Sequence, residues 1–307
     1  MKLSVVTMMY KSSSFLDRFV LEIEEAIHAL NITEYEIVLV NDGCPEDSLM
    51  KAKEIYGKHE FIRIVNLSRN FGHHYAMQAG LSSANGDLIF LIDCDLETPP
   101  NVLIEMYNEL DDSEFDVIYG YQESRKGNFF ERISGGMFYT LLNKLSETYI
   151  PPNILTERLM KRNYVNDLLN VGDANLFMGG LMYWVGYNQK GISVKKIQRT
   201  GASNYTFRKK INLLINAVSS FSGTPLKWLF KFGLTISALS LLSAIVVAIL
   251  KFTYGGDIQV GWSSLIVINV LILGVISTFL GILGIYLHKI FTQVQSRPNF
   301  IIKEILE

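Results

Sequence analysis

The sequence predicts an α/β domain built on a mostly parallel sheet, followed by a hairpin of two membrane-crossing helices. Apolar, strand-like runs alternate with amphipathic stretches from residue 3 to residue 120, the pattern of a sheet covered on both faces. Two uncharged apolar stretches, 232–250 and 262–287, then close the chain with only 251–261 between them. A hydrocarbon core about 30 Å thick needs roughly 20 apolar helical residues to cross it, and each stretch meets that requirement. A water-soluble domain gains little from such an anchor unless one of its ligands is confined to the membrane.

Residues 3–8 read as the first strand, and Ser12–Ser14 offer N-caps for a helix to residue 30. A second strand at 36–40 ends in Asn41-Asp42-Gly43, and a helix follows at 46–56. A strand at 61–66, a helix at 75–84 and a wholly apolar, central strand at 88–92 come next. Pro99 and Pro100 start a helix to residue 110, since proline is tolerated in a first turn, and 116–120 completes the core strands. Beyond these, 129–146, 163–170 and 177–187 read as helices and 192–198 as a strand. Residues 206–221 read as an amphipathic helix lying along the membrane surface. The predicted organisation is therefore 1–205 as the α/β domain, 206–225 as a juxtamembrane helix, 226–290 as the hairpin and 291–307 as a tail.

Composition narrows the function classes. The chain has 307 residues, and its net charge of −2 gives no global basis for nucleic-acid binding. Its 49% hydrophobic content against 19% charge is rich for a soluble protein, and the tail accounts for much of the excess. The two cysteines, Cys44 and Cys94, lack metal-ligand spacing and read as reduced, structural thiols. No long apolar core follows Met1, so the front domain is expected in the cytoplasm. Arg208, Lys209, Lys210, Lys227 and Lys231 precede the first apolar stretch, and Lys289, Arg297 and Lys303 follow the second. Basic residues stay on the cytoplasmic side, which predicts a multi-pass plasma-membrane protein with both ends inside. The alternative is a helical hairpin buried in a soluble core. Gly274, Gly281 and Gly284 suit either close helix approach in a homo-oligomer or ordinary membrane helices.

In a parallel α/β sheet, ligands bind at the carboxyl ends of the strands. Three polar clusters fall there: Asn41-Asp42-Gly43, Ser68-Arg69-Asn70-Phe71-Gly72 and Asp93-Cys94-Asp95-Leu96-Glu97. The last is the sharpest. Carboxylates at i and i+2 of an extended segment point the same way, and hard oxygen ligands of this kind suit Mg²⁺ or Mn²⁺ shared with a diphosphate. The competing reading is a solvated turn that caps the next helix. His73 and His74 have no carboxylate or cysteine partner at ligand spacing.

Taken together and in order, these residues resemble glycosyltransferase family 2, and within it the polyisoprenyl-phosphate glycosyltransferases. The resemblance extends through Ala84 to Asp87, Ile150-Pro151-Pro152, Arg158, Trp184 to Gly186, Ser203-Asn204-Tyr205 and Arg208-Lys209, covering nearly the whole chain. It implies a GT-A fold, a Rossmann-like α/β architecture. It further implies a nucleotide-sugar donor, expected to be a UDP-sugar, a polyprenyl-phosphate acceptor and a Mg²⁺ or Mn²⁺ cofactor. By the same resemblance Asp42 contacts the nucleoside, with Asn70 and Gly72 in the donor site. Asp93 faces the ribose and phosphate side, and Asp95 holds the metal. Arg158, Ser203, Tyr205, Arg208 and Lys209 grip phosphate, although the topology rule alone also places Arg208 and Lys209 before a span.

The sequence departs from that family in three places. The first loop reads Thr7-Met8-Met9-Tyr10-Lys11-Ser12, Gly179 replaces a frequent basic residue, and Thr156 replaces an acidic one beside Glu157. A hydroxyl acceptor needs a general base, whereas a phosphate monoester is already ionised near neutral pH and attacks without one. The loss at Thr156 therefore favours a lipid-phosphate acceptor and an inverting, in-line transfer, with Glu157 as the candidate that orients it. The alternatives are a transferase that extends a lipid-linked sugar at a hydroxyl, with Glu157 or Glu97 as base, and a nucleotide-sugar-binding relative without turnover.

Overall fold

The computed structural model describes residues 1–111, 114–123, 140, 143–144, 149–197, 219, 222–254 and 262–307. Its centre is an eight-stranded sheet of order β7-β5-β6-β4-β1-β2-β3-β8. Strands β1 (Leu3–Met9), β2 (Tyr35–Asn41), β3 (Ile62–Leu67) and β4 (Leu88–Leu91) are parallel to one another. All seven residues of β1 and all four of β4 are buried, as expected of strands covered on both faces. Helices α1 (Leu16–Ala29), α2 (Ser48–Tyr56) and α4 (Val102–Asp111) pack one face through a core that includes Phe19, Ile23, Ile55, Leu103 and Met106. Helix α3 (His73–Ser83), α5 (Arg162–Asn170) and α6 (Met178–Trp184) pack the other, through Ala76, Leu81, Val165, Leu168 and Met182. Gly80 permits the close seat of α3. A Cβ there would stand 2.5 Å from Val6 Cγ1 and 2.8 Å from Val40 Cγ2.

Four features differ from the sequence-based expectation. Ser12–Ser14 do not cap α1, which starts at Leu16 without a side-chain cap. Ser12 instead donates from its hydroxyl to the Tyr10 carbonyl at 3.1 Å and from its N–H to Ser48 Oγ at 3.0 Å. Strand β6 (Ile154–Lys161) runs antiparallel between β4 and β5 (Val117–Tyr121), where no strand was expected. Its Glu157 and Arg158 interrupt the apolar alternation that marks a strand. Strand β7 forms at Gln189–Ser193 rather than 192–198, because pairing with β5 sets its register from Val117↔Gln189 to Tyr121↔Ser193. Finally, residues expected as a tail form β8 (Ile302–Leu306), paired antiparallel with β3. The helices expected at 129–146 and 206–221 lie largely or wholly outside the described residues.

Helices α7 (Thr224–Tyr254) and α8 (Trp262–Val294) follow the α/β part and lie antiparallel. The Tyr286 hydroxyl donates to the Ser222 carbonyl at 2.8 Å near one end, and the Phe232 and Phe279 rings meet at 5.9 Å further along. Within α8, Ile272–Val294 is long and apolar enough to cross a membrane, and none of its most apolar stretch is buried. Leu239, Leu242 and Ile249 of α7 and Leu273, Leu280 and Leu287 of α8 are likewise exposed. Among the described residues one helix meets the criterion for crossing a membrane, and these apolar side chains are not covered as a hairpin buried in a soluble core requires.

Candidate active site

The site is built at the carboxyl edge of the parallel strands. β2 ends at Asn41, whose amide donates to Asn66 Oδ1 at 2.9 Å, so the ends of β2 and β3 are held side by side. Asp42 follows, buried. Its carboxylate accepts the Phe71 N–H at 2.8 Å and the Gly72 N–H at 3.1 Å, which fastens the turn that opens α3. Burial pushes this carboxyl up, and the two N–H groups pull it back. Gly43 adopts φ +56°, and a Cβ there would overlap the backbone of Arg69 and Asn70. Only glycine lets these two loops approach so closely.

Two residues beyond β4, Asp93 and Asp95 stand half-buried. The Asp95 Oδ1 accepts the Glu97 N–H at 3.0 Å across Leu96, which takes the left-handed conformation at φ 58°. Burial, reinforced by the charge of Asp95, pushes the Asp93 carboxyl up to about 6. Lys196 and the neighbouring Thr156 hydroxyl oppose that rise. The position of Thr156 follows from register: Leu91 pairs with Arg158, so two further steps set Asp93 opposite Thr156. The antiparallel strand β6 therefore brings Thr156, Glu157 and Arg158 to the edge that carries the two aspartates.

Glu157 is 1% exposed, its Oε2 meets no hydrogen-bond partner within bonding distance among the described residues, and burial raises its pKa while Lys196 and the nearby Thr98 hydroxyl oppose the rise. Successive strand residues point to opposite faces, so Arg158 turns away from Glu157. The residue is 2% exposed, and its guanidinium donates to the carbonyls of Thr156 at 3.3 Å and Leu155 at 3.2 Å. It is a buried cation beneath the edge rather than a surface clamp. Asn70 is exposed in the turn before α3. Ser203, Tyr205, Arg208 and Lys209 lie outside the described residues.

Two residues that the sequence reading did not select complete the edge. His73, in the first turn of α3, places Nε2 at 3.8 Å from Asp93 Oδ1, and burial lowers its pKa so that the neutral ring is favoured. Lys196 places Nζ at 3.4 Å from Glu97 Oε2. Burial works against its charge, but Glu157, Glu97, Asp93 and Asp95 together hold its pKa above the usual value. The signal for Lys196 is a basic residue just beyond a strand's carboxyl end, and a strand predicted over 192–198 conceals it.

A divalent cation fits the edge in one way. Asp93 and Asp95 offer hard oxygen donors, and among the described residues no group of three histidine, cysteine or acidic side chains forms an all-protein cage. Such a donor set suits a metal held jointly by one or two carboxylates and substrate phosphates.

A model of the glycosyl transferase family 2 domain matches residues 4–169, which span Asp42, Asp93, Asp95 and Glu157. The chain belongs to glycosyltransferase family 2. This glycosyltransferase is 36% identical, over 99% of its length and 88% of the relative's, to a Mycobacterium tuberculosis (strain CDC 1551 / Oshkosh) protein described as a glycosyltransferase. It is 29% identical to the SfII prophage-derived bactoprenol glucosyl transferase of Shigella flexneri, over 99% of this chain and 98% of that one. It is 28% identical to the undecaprenyl-phosphate 4-deoxy-4-formamido-L-arabinose transferase of Klebsiella pneumoniae subsp. pneumoniae, over 99% and 94%. The family 2 enzyme thus has a GT-A-like α/β fold with a mixed, mostly parallel sheet.

Proposed function

We propose that this glycosyltransferase moves a sugar from a nucleotide-sugar, a UDP-sugar, to a polyprenyl phosphate such as undecaprenyl phosphate at the cytoplasmic face of the plasma membrane. The observation that carries the reading is the attachment of an acidic, donor-type sheet edge to an apolar helix with none of its core stretch buried. Such a helix holds the domain where a lipid phosphate presents its anion. Relatives matched over 99% of the chain are named for bactoprenol and undecaprenyl phosphate, which supports the same acceptor class here.

In this reading Asp95, with Asp93 beside it, would hold Mg²⁺ or Mn²⁺ at the donor end of the site. The bound cation supplies electrostatic compensation for charge on the leaving group. An acceptor phosphate oxygen forms the new bond to the anomeric carbon from the face opposite the diphosphate. The bond to the diphosphate breaks, its electron pair leaves with the nucleotide, and configuration inverts. No proton need be removed, because the phosphate monoester is already ionised (second pKa about 6). Asp42, Asn70 and Gly72 form the nucleoside end, and Glu157 orients the acceptor. Arg158 supports the edge from below, and Ser203, Tyr205, Arg208 and Lys209 grip phosphate. The chain's share of the rate is positioning and electrostatic stabilisation.

A second reading is favoured by one observation. Glu157 is buried, its pKa is raised, and among the described residues its Oε2 has no partner within bonding distance, as suits a general base for a hydroxyl acceptor. Transfer from radiolabelled UDP-, GDP- and dTDP-sugars to undecaprenyl phosphate, with Mg²⁺ or Mn²⁺ and an Asp95→Asn control, separates the two. Label entering lipid from one donor and lost in the control is expected. Transfer only to an acceptor that already carries a sugar would replace the first reading with the second.

A further inference from the structure

The end of α8 is not a free tether. Gln293 grips the loop between α5 and α6 with both ends of its amide: Oε1 accepts the Ala174 N–H at 2.9 Å, and Nε2 donates to the Gly172 carbonyl at 3.0 Å. Asn299 donates from Nδ2 to Gln78 Oε1 and to the Asp173 carbonyl, each at 2.9 Å. The Ser68 N–H then donates to the Ile301 carbonyl at 2.9 Å, and β8 continues along β3. Lys53–Glu304 at 3.1 Å and Arg63–Glu307 at 2.8 Å close the far end.

The same loop reaches the donor edge. The Ala174 carbonyl accepts the Tyr75 hydroxyl at 2.9 Å, and the Leu176 carbonyl lies 3.1 Å from His74 Nδ1. Both partners sit in the first turn of α3, next to Gly72 and His73, which touch Asp42 and Asp93. Gln78, the partner of Asn299, lies on α3 as well. Helix end, loop and site helix therefore form one hydrogen-bonded block.

Length leaves room for such a joint. The 33 residues of α8 extend about 50 Å at about 1.5 Å per residue, roughly 20 Å more than a hydrocarbon core. The last turns, with Gln293, can stand outside the bilayer while earlier turns cross it.

We propose that Gln293 and Asn299 are positioning residues: they mount the α/β domain on the membrane helix in one orientation and so set where a membrane-held acceptor phosphate meets the Asp93–Asp95 edge. The proposal rests on the polyprenyl-phosphate reading for its consequence, but the joint itself can be tested without any acceptor.

The experiment uses the full chain in lipid nanodiscs, as wild type and as Gln293→Ala/Asn299→Ala with β8 intact, both checked by thermal melting. Hydrogen exchange is read at the Ala174 amide. Faster exchange in the variant supports the joint, and unchanged exchange overturns it whatever the acceptor. Transfer is then compared between undecaprenyl phosphate in the bilayer and a short, water-soluble prenyl phosphate. An apparent KM for the bilayer acceptor raised about 10-fold or more is expected. The KM for nucleotide-sugar and transfer to the soluble acceptor should be unchanged. Equal loss on both acceptors, or on neither, would overturn the positioning role. A wild type that transfers to neither acceptor while exchange at Ala174 still responds would sink the acceptor reading and leave the mount standing.

Discussion

At the scale of single residues, the edge is governed by four carboxylates and one ammonium. Asp93 carries a pKa near 6 instead of 3.8 because burial and Asp95 disfavour its charge. A raised carboxyl contributes stability below its unfolded value, and that contribution is lost as pH rises through about 6. If Asp93 helps to hold the proposed cation, metal binding has the opposite dependence, since the ligand must be ionised. Mn²⁺ affinity, followed by electron paramagnetic resonance, is therefore expected to fall roughly tenfold per pH unit below about 6 and to be flat above about 7. Lys196→Met removes a charge that holds Asp93 down, so the same titration should move upward; a midpoint that stays put would show that Lys196 does not act on Asp93. Asp95→Asn is expected to lower kcat by about 10²–10³-fold, the range for losing one preorganised electrostatic contact.

At the scale of elements, what the sequence disclosed tracks how cleanly each segment states its burial. β4 is wholly apolar, and β1, β2 and β3 are mostly apolar runs with few polar interruptions (Ser4, Thr7, Glu36, Arg63 and Asn66), so the strands and the polar residues at their ends are legible in the sequence. That is why the sequence alone puts Asp42, Asp93 and Asp95 on one edge. β6 was concealed because its strand period is broken by Glu157 and Arg158, buried at 1% and 2% exposure. A buried charge reads as surface in a sequence, and its burial comes from neighbours across the sheet. β8 was concealed because its pairing with β3 joins residues far apart in the chain, as in Ile64↔Leu306. The tight seat of α3 makes a prediction at this scale. Gly80→Ala forces a methyl group against Val6 and Val40, and overpacking of this kind typically costs about 1–3 kcal/mol. Thermal unfolding of the purified variant should show a lower Tm, and because α3 opens onto the donor edge, nucleotide-sugar binding should weaken with it.

For the whole molecule, we propose that α7 and α8 cross the membrane as a hairpin, and their arrangement then sets which side each segment sees. The contacts Ser222–Tyr286 and Phe232–Phe279 run antiparallel, and the α8 end returns to the α/β domain. If the exposed apolar faces lie in lipid, the stretch between the helices must emerge on the side opposite the domain. Most basic residues agree: Lys227 and Lys231 lie in the first turns of α7, Lys289 in the last turns of α8 and Arg297 just beyond it, with Lys251 alone at the far end of α7 among the described residues. A cysteine introduced at Gly256 should therefore react with a membrane-impermeant maleimide in intact cells. One at Gln295 should react only after the membrane is opened. Cys44 and Cys94 serve as internal controls on the domain side, because Cys44 is partly exposed and Cys94 is buried. Labelling of position 295 from outside would place the donor edge away from the cytoplasmic supply of nucleotide-sugars. Failure at both positions in intact cells would mean that the hairpin lies on the inner surface without crossing it.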